Sequence, residues 1–433
     1  PTHSEHPATG RRLGEDGRRL MRRLRDMQAE ILDRMPRMEG VEVPHESAVG
    51  SVLADDVNAP ENLPGFENAA MDGFAGVASD LDRPSVELDV IDDVAAGSTP
   101  SEVVSNGTAS RIMTGAPLPP GADAVVPVEV TETLSDHRVR ILEPAAVGDH
   151  VRPVGGSVRV GSLVFEAGLR LRPTHVSVLA SMGALPVVRR RPIVAMMSTG
   201  DELVPPATKT LEPGSIRDSN RTLLRGLLTE AGAEIRDYGI VGDTPGSFEA
   251  ALEDATRGAD VVVTSGGVSM GAYDVVKLTL RERETVDFLK IAMQPGKPLG
   301  FGTVDGVPFF GLPGNPVSVF VSFEQFMRPA LLAMMGAEFL YRDRVPGKLD
   351  DGITTNPEKD VFVRVATERS VDGRWHARSS GGQSSNVLSA LAFADALAVV
   401  PVGVGRVEPG GTVELEMIHW PEARTRKEAL GDR

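Results

Sequence analysis

Val261-Val262-Val263-Thr264-Ser265-Gly266-Gly267-Val268-Ser269-Met270-Gly271 sets a short apolar run directly against a glycine-rich loop. The β-branched residues Val261 to Thr264 predict a strand buried on both faces, because a half-exposed strand would alternate apolar with polar side chains. The loop beyond it predicts close backbone approach to a ligand. Glycines free the N–H groups from Cβ interference, and the N-terminus of a following helix adds its dipole, so a phosphate or another oxyanion fits there.

Outward from this stretch the same alternation continues over residues 191–345. Ile193 to Met197 reads as a buried strand, a helical pattern follows Asn220, Glu234 to Ile240 reads as a strand, and another helical pattern starts at Ser247. Strand and helix in alternation predict a parallel α/β sheet, whose ligands bind beyond the carboxyl ends of the strands. Four loops lie at such ends: Ser198-Thr199-Gly200-Asp201-Glu202, Gly242-Asp243, the Ser265 to Gly271 loop with Asp274 beyond it, and Gly311-Leu312-Pro313-Gly314-Asn315-Pro316. In the last, Asn315 is expected to cap a helix and Pro316 to occupy its first position. Any one of these loops alone reads first as an ordinary turn with a capping residue; four together reverse that and point to a site. Glu202, Asp243 and Asp274 are then candidate oxygen ligands for a Mg²⁺ bridging a pyrophosphate. Lys290 and Lys297 are candidates for balancing oxyanion charge, with plain surface lysines as the other reading.

The flanks differ in pattern. Leu20, Leu24, Met27, Ile31 and Met35 recur at helical spacing until Pro36, and arginines fill the opposite face; this predicts one amphipathic helix with a solvated basic side. From Val41 to about Arg190, short β-branched runs such as Ala124 to Val130, Arg138 to Leu142 and Ser162 to Phe165 alternate with Gly, Pro and Asp, which predicts mainly β structure. The tail from Val345 returns to short strands, Val361 to Val365 and Leu397 to Val400 among them, and reads as a small β domain.

Composition bounds the function. At 433 residues the chain calls for several domains. It has no cysteine, so thiolate ligands and cysteine nucleophiles are excluded. A net charge of −16 argues against nucleic acid as partner. No stretch reaches the roughly 18 uninterrupted apolar residues of a membrane helix, and the first residues lack a signal-peptide pattern; no membrane insertion and a cytoplasmic location are expected.

Ser265-Gly-Gly-Val-Ser-Met-Gly271 with Asp274, Gln294-Pro-Gly-Lys-Pro298 and Gly311-Leu-Pro-Gly-Asn-Pro316 together resemble the molybdopterin molybdenumtransferase family, bacterial relatives of the gephyrin E domain. The β half resembles it as well, in the Met-Asp-Gly loop of Asn68 to Phe74 and the Thr-Gly loop of Arg111 to Asp123, and so do Arg364 and Gly382-Gln383-Ser384-Ser385 in the tail. The resemblance runs from about Leu20 to Pro421. It implies a helical arm over residues 1–40 packed on the α/β domain, and a linking domain of 41–58 and 159–190. It further implies a β domain over 59–158, the α/β molybdopterin-binding domain over 191–345 and a small C-terminal β-barrel-like domain over 346–433.

The same resemblance implies a homodimer that takes adenylylated molybdopterin and molybdate, uses a divalent cation and releases AMP. It assigns catalysis to Asp72, Thr114, Glu202, Asp243 and Asp274, with Glu202, Asp243 and Asp274 as the metal set. Ser265, Gly266, Gly267, Ser269, Lys290, Lys297, Pro313, Asn315, Pro316, Arg364 and Ser385 become binding residues. Ser157 departs from the pattern, standing where family members usually carry an acidic residue. A second reading, drawn from gephyrin, is a dimeric scaffold that binds linear peptides of partner proteins.

Overall fold

A computed structural model describes residues 21–267, 275–282 and 285–420. The chain divides into two compact units, Pro1–Glu39 with Arg189–Arg433, and Gly40–Val188.

The larger unit is built on a six-stranded sheet. Ile193–Thr199 pairs in parallel with Glu234–Val241 on one side and Val261–Ser265 on the other, and Val261–Ser265 pairs in parallel with Val307–Leu312. Along the first strand Val194 and Met196 join one core cluster while Ala195 and Met197 join another. Burial on both faces is the physical reason for an uninterrupted apolar run. On the first face pack the helices Leu24–Asp33 and Ser219–Ala231, through Met27, Ile31, Leu224 and Leu228; on the second packs Pro245–Thr256, through Phe248 and Leu252.

The sheet departs from an all-parallel expectation at one edge. Pro298–Val304 runs antiparallel to Val307–Leu312, and Val286–Lys290 antiparallel to Pro298–Val304. Asp305 (φ 50°) and Gly306 (φ 83°) form the two-residue turn that makes this hairpin, because adjacent left-handed residues match the twist of antiparallel strands.

In the same unit Arg344–Leu349, Asp360–Arg369, Trp375–Ser379, Ala396–Val400 and Gly411–Met417 form a small barrel, closed where Asp360–Arg369 pairs with Ala396–Val400. Val363, Val365, Ala398 and Leu415 fill it. Met293–Gln294 pairs in parallel with Asp360 and Val361, tying the barrel to the loop that precedes Pro298.

The smaller unit is mainly β. Its six-stranded sheet runs, in spatial order, Ala124–Pro127, Gly73–Gly76, Thr108–Ile112, Val86–Val94, Arg138–Ile141 and Thr131–Ser135. Two α-helices interrupt the β pattern among the described residues, the single turn His45–Ala48 and Pro173–Ser181; the second starts on a proline and buries Val176 and Leu179 against Leu53 and Val188. Among the described residues no helix is long and apolar enough to cross a membrane.

Candidate functional site

In the larger unit the register sets the ends of the parallel strands level. Thr199 lies beside Val241, Ser198 beside Ser265, and Ser265 beside Leu312. The hairpin starts at the same edge, since Gly300 faces Gly311 and Pro298 faces Lys290. The loops at 200–202, 242–243, 265–267, 291–297 and 313–316 therefore open on one edge of one sheet.

Its middle is a glycine cradle. Gly266 has φ +88° and an added Cβ would stand 2.7 Å from the Thr199 carbonyl oxygen; Gly267 has φ +71° and its Cβ would stand 2.1 Å from Val276 Cγ2. No side chain fits at either position. The Gly266 amide is already engaged, donating to the Leu312 carbonyl at 3.2 Å, so this N–H braces the loop. Ser265 is buried at the strand end. Ser269 and Asp274 lie outside the described residues.

Toward one side the edge is acidic. Asp243 donates its backbone N–H to Asp201 Oδ1 at 3.4 Å, and the Glu202 carboxylate folds back over Gly200, 2.7 Å from where a Cβ there would stand. Partial burial, then the charges of Asp201 and Glu202, push the Asp243 carboxyl above its ordinary value. Asp201 is quoted in the sequence motif but was assigned no role, since an Asp beside a turn glycine reads as an ordinary capping residue. Among the described residues no three carboxylates or imidazoles gather closely enough to hold a metal; the third expected ligand, Asp274, is outside them. The donor set fits a hard divalent cation, because oxygens that repel one another are relieved by a shared positive charge.

Toward the other side lies a cleft of about 600 Å³ whose wall, among the described residues, includes Lys297, Asn315, Lys359, Gln383, Ser384 and Ser385 and no Asp or Glu. Pro316 is the first residue of the helix Pro316–Ser322 and Asn315 stands at its cap position. The Asn315 side chain does not cap: Nδ2 instead donates to Ser385 Oγ at 3.0 Å, drawn away by the barrel loop that packs on the helix start. Pro313 is buried beside it. Lys290 is half-buried at the end of its strand and does not line the cleft.

Arg364 lies behind the cleft wall. It is fully buried, and its Nη2 donates to the carbonyls of Gly382 at 2.8 Å and Ser384 at 3.2 Å. The Gln383 side chain answers it: Oε1 accepts the Arg364 backbone N–H and Nε2 donates to the Arg364 carbonyl, both at 3.0 Å. Among the described residues Arg364 Nε and Nη1 have no hydrogen-bond partner, and burial pushes its guanidinium below its ordinary value. Lys359 was missed as a site residue in the sequence because it lies in no motif, whereas Gln383 belongs to the Gly382 to Ser385 stretch that the resemblance singles out.

In the smaller unit Asp72 and Thr114 meet. Asp72 Oδ1 accepts the Thr114 backbone N–H at 2.6 Å and the Thr114 hydroxyl at 2.7 Å, and these two donors hold the exposed carboxyl below its ordinary value. The loops carrying them are stitched together, Gly115 donating to the Ala69 carbonyl at 2.8 Å and Ala69 to that of Ala116 at 3.1 Å. Ser157 is exposed, in a turn where its N–H donates to the Leu63 carbonyl at 2.9 Å.

Three family descriptions match in order along the chain. The MoeA N-terminal region (domain I and II) covers residues 22–183, a probable molybdopterin binding domain covers 195–333, and the MoeA C-terminal region (domain IV) covers 346–418. Fold and matched segments thus define a protein of molybdenum cofactor biosynthesis. Molybdopterin molybdenumtransferase 2 of Mycobacterium tuberculosis is 38% identical over 407 residues, spanning 91% of this chain and 99% of that protein. The molybdopterin molybdenumtransferase of Haemophilus influenzae is 36% identical over 86% of this chain and 92% of its own length. A crystal structure described as the molybdopterin biosynthesis moeA protein of Pyrococcus horikoshii OT3 aligns over 92% of this chain and 100% of its own, with a TM-score of 0.78 and 29% identity. The chain belongs to the molybdopterin molybdenumtransferase family.

Proposed function

We propose that this protein inserts molybdate into adenylylated molybdopterin and releases AMP, leaving the molybdenum on the pterin dithiolene. One observation carries the reading: a single sheet edge holds both an acidic cluster, at Asp201, Glu202 and Asp243, and a cleft lined by lysines and, among the described residues, by no carboxylate. A substrate with a pyrophosphate and a separate oxyanion needs both kinds of surface.

In this reading Glu202, Asp243 and Asp274 hold Mg²⁺. When bound, the ion supplies positive charge against the pyrophosphate. Ser265, Gly267 and Ser269 approach the pterin phosphate with backbone rather than side chain, Gly266 braces that loop and leaves room beside it, and Pro313 and Pro316 shape the adjoining wall. Lys297 and Ser385 face the oxyanion, Lys290 adds charge at the rim, Asn315 holds Ser385, and Arg364 supports the Gly382–Ser385 loop from behind. The protein acts in the cytoplasm as a homodimer, with Asp72 and Thr114 of one subunit completing the site of the other.

The test is AMP release from adenylylated molybdopterin with Mg²⁺ present, with and without molybdate. Molybdate-dependent release is expected. Pterin binding without release under any condition would overturn the reading and leave the scaffold alternative.

A further inference from the structure

We infer that Lys359 is a specificity-determining residue of the cleft, the second cation that captures the oxyanion substrate. The inference rests on the proposed function and adds a residue to which no motif pointed.

Lys359 lies immediately before the barrel strand Asp360–Arg369, where its backbone N–H donates to the Asn356 carbonyl at 3.2 Å. The next residue is pinned on both sides: the Asp360 N–H donates to the Ala292 carbonyl at 3.0 Å, and Asp360 Oδ1 accepts the Val402 N–H at 3.2 Å. Asp360 also stands beside Met293 in a parallel pairing. The start of the barrel strand is thereby fixed against the loop that carries Lys297, and Lys359 reaches the same cleft wall.

Charge makes the placement informative. The chain carries 61 acidic and 45 basic residues, so a random cleft would hold carboxylates, yet among the described residues this one is lined by two lysines and no carboxylate. Lys359 is half-buried, and among the described residues neither lysine has an acidic partner within 4.0 Å; of the two carboxylates next to Lys359 in sequence, Glu358 is exposed and outside the cleft wall and Asp360 accepts a backbone N–H. Ammonium groups left without a counter-ion in a concave, partly desolvated wall attract an anion. Two cations with the neutral donors Asn315, Ser384 and Ser385 suit a small tetrahedral dianion better than a planar carboxylate, because their hydrogens come from several directions.

The experiment uses the full chain with molybdate alone in equilibrium dialysis, then in the AMP-release assay. Lys359→Gln should weaken molybdate binding, and raise half-saturating molybdate, by about tenfold, the weight of one ammonium near a dianion in a partly solvated cleft. The maximal rate should return at saturating molybdate, half-saturating pterin should stay within about twofold, and Lys359→Arg should keep most of the affinity. Lys348→Gln removes the same charge elsewhere on the barrel and should change nothing. Molybdate affinity within about twofold in Lys359→Gln, an equal loss in Lys348→Gln, or a rise in half-saturating pterin instead would overturn the inference. If the unsubstituted chain binds molybdate but never releases AMP, the proposed function fails while dialysis still decides the role of Lys359.

Discussion

Asp72 and Asp243 are both exposed carboxylates on loops, one in each unit, and their surroundings push them in opposite directions. Asp72 receives two hydrogen bonds from Thr114 and is held below its ordinary value. Asp243 is partly desolvated, lies beside Asp201 and Glu202, and is pushed above it. Sequence position alone gives no hint of this, since each residue stands next to a glycine. The difference teaches that neutral donors already stabilise the Asp72 anion, whereas among the described residues no cation offsets the charges around Asp243. An acceptor that orients a group suits the first environment, and a hard cation suits the second.

The largest effect expected from breaking this contrast is in catalysis. Asp243→Asn should lower AMP release at least about a hundredfold, while stability moves by no more than about 0.5 kcal/mol because the carboxylate is exposed. Asp72→Ala should inactivate as well. Mixing Asp72→Ala with Asp243→Ala chains should restore about a quarter of full activity, since half the dimers are mixed and each keeps one complete site. No recovery would break the two-subunit reading.

A smaller effect is expected at Thr114. Thr114→Val removes the hydroxyl donor and leaves the backbone one, so the Asp72 carboxyl should rise toward its ordinary value and the acid limb of the rate profile should move to higher pH. A depressed carboxyl contributes stability present above its unfolded value and lost as pH falls through its folded value; the valine variant should lose part of that contribution. An unmoved acid limb would mean that Asp72 does not titrate in the rate.

Ser157→Asp should have a gentler consequence. A hydroxyl is a weaker ligand for a hard cation than a carboxylate, so the variant should reach half-maximal AMP release at about one third the Mg²⁺. An unchanged magnesium titration would show that position 157 takes no part in holding the ion.

The smallest effect belongs to Asp201→Asn. Losing one neighbouring charge should bring the Asp243 carboxyl down toward its ordinary value, as followed by carboxyl NMR. A raised carboxyl binds extra proton in the folded state, so its cost is absent at low pH and grows as pH rises through the raised value. The variant should therefore gain stability on the alkaline side of that window, by at most a few tenths of a kcal/mol after solvent screening. A carboxyl that stays where it was would leave desolvation and the Glu202 charge as the causes.

Much of the site was legible because its residues stand in runs. The strand Val261–Ser265 begins where four β-branched residues begin, and the glycines after it are required by close contacts with Thr199 and Val276. The turn Asp305-Gly306 was legible too, yet the reading of alternating strands and helices passed over it, and with it the antiparallel edge. Helix Pro173–Ser181 was lost within a β-rich stretch because nine residues give too short a period to stand out. Asn315 was placed correctly at a helix start, but its side chain went to Ser385, 70 residues away, which local capping preference cannot foresee.

What the sequence by itself determined is the class of fold, the loops at the strand ends and the family, because buried strands, glycine turns and proline starts act on a few consecutive residues. Tertiary structure alone decided the electrostatics. It brought Asp201 to Asp243, Thr114 to Asp72 and Lys359 to Lys297, and it buried Arg364 behind a loop clamped by Gln383. Charges interact through space over distances set by packing, so residues far apart along the chain acquire their chemical character only when the fold makes them neighbours.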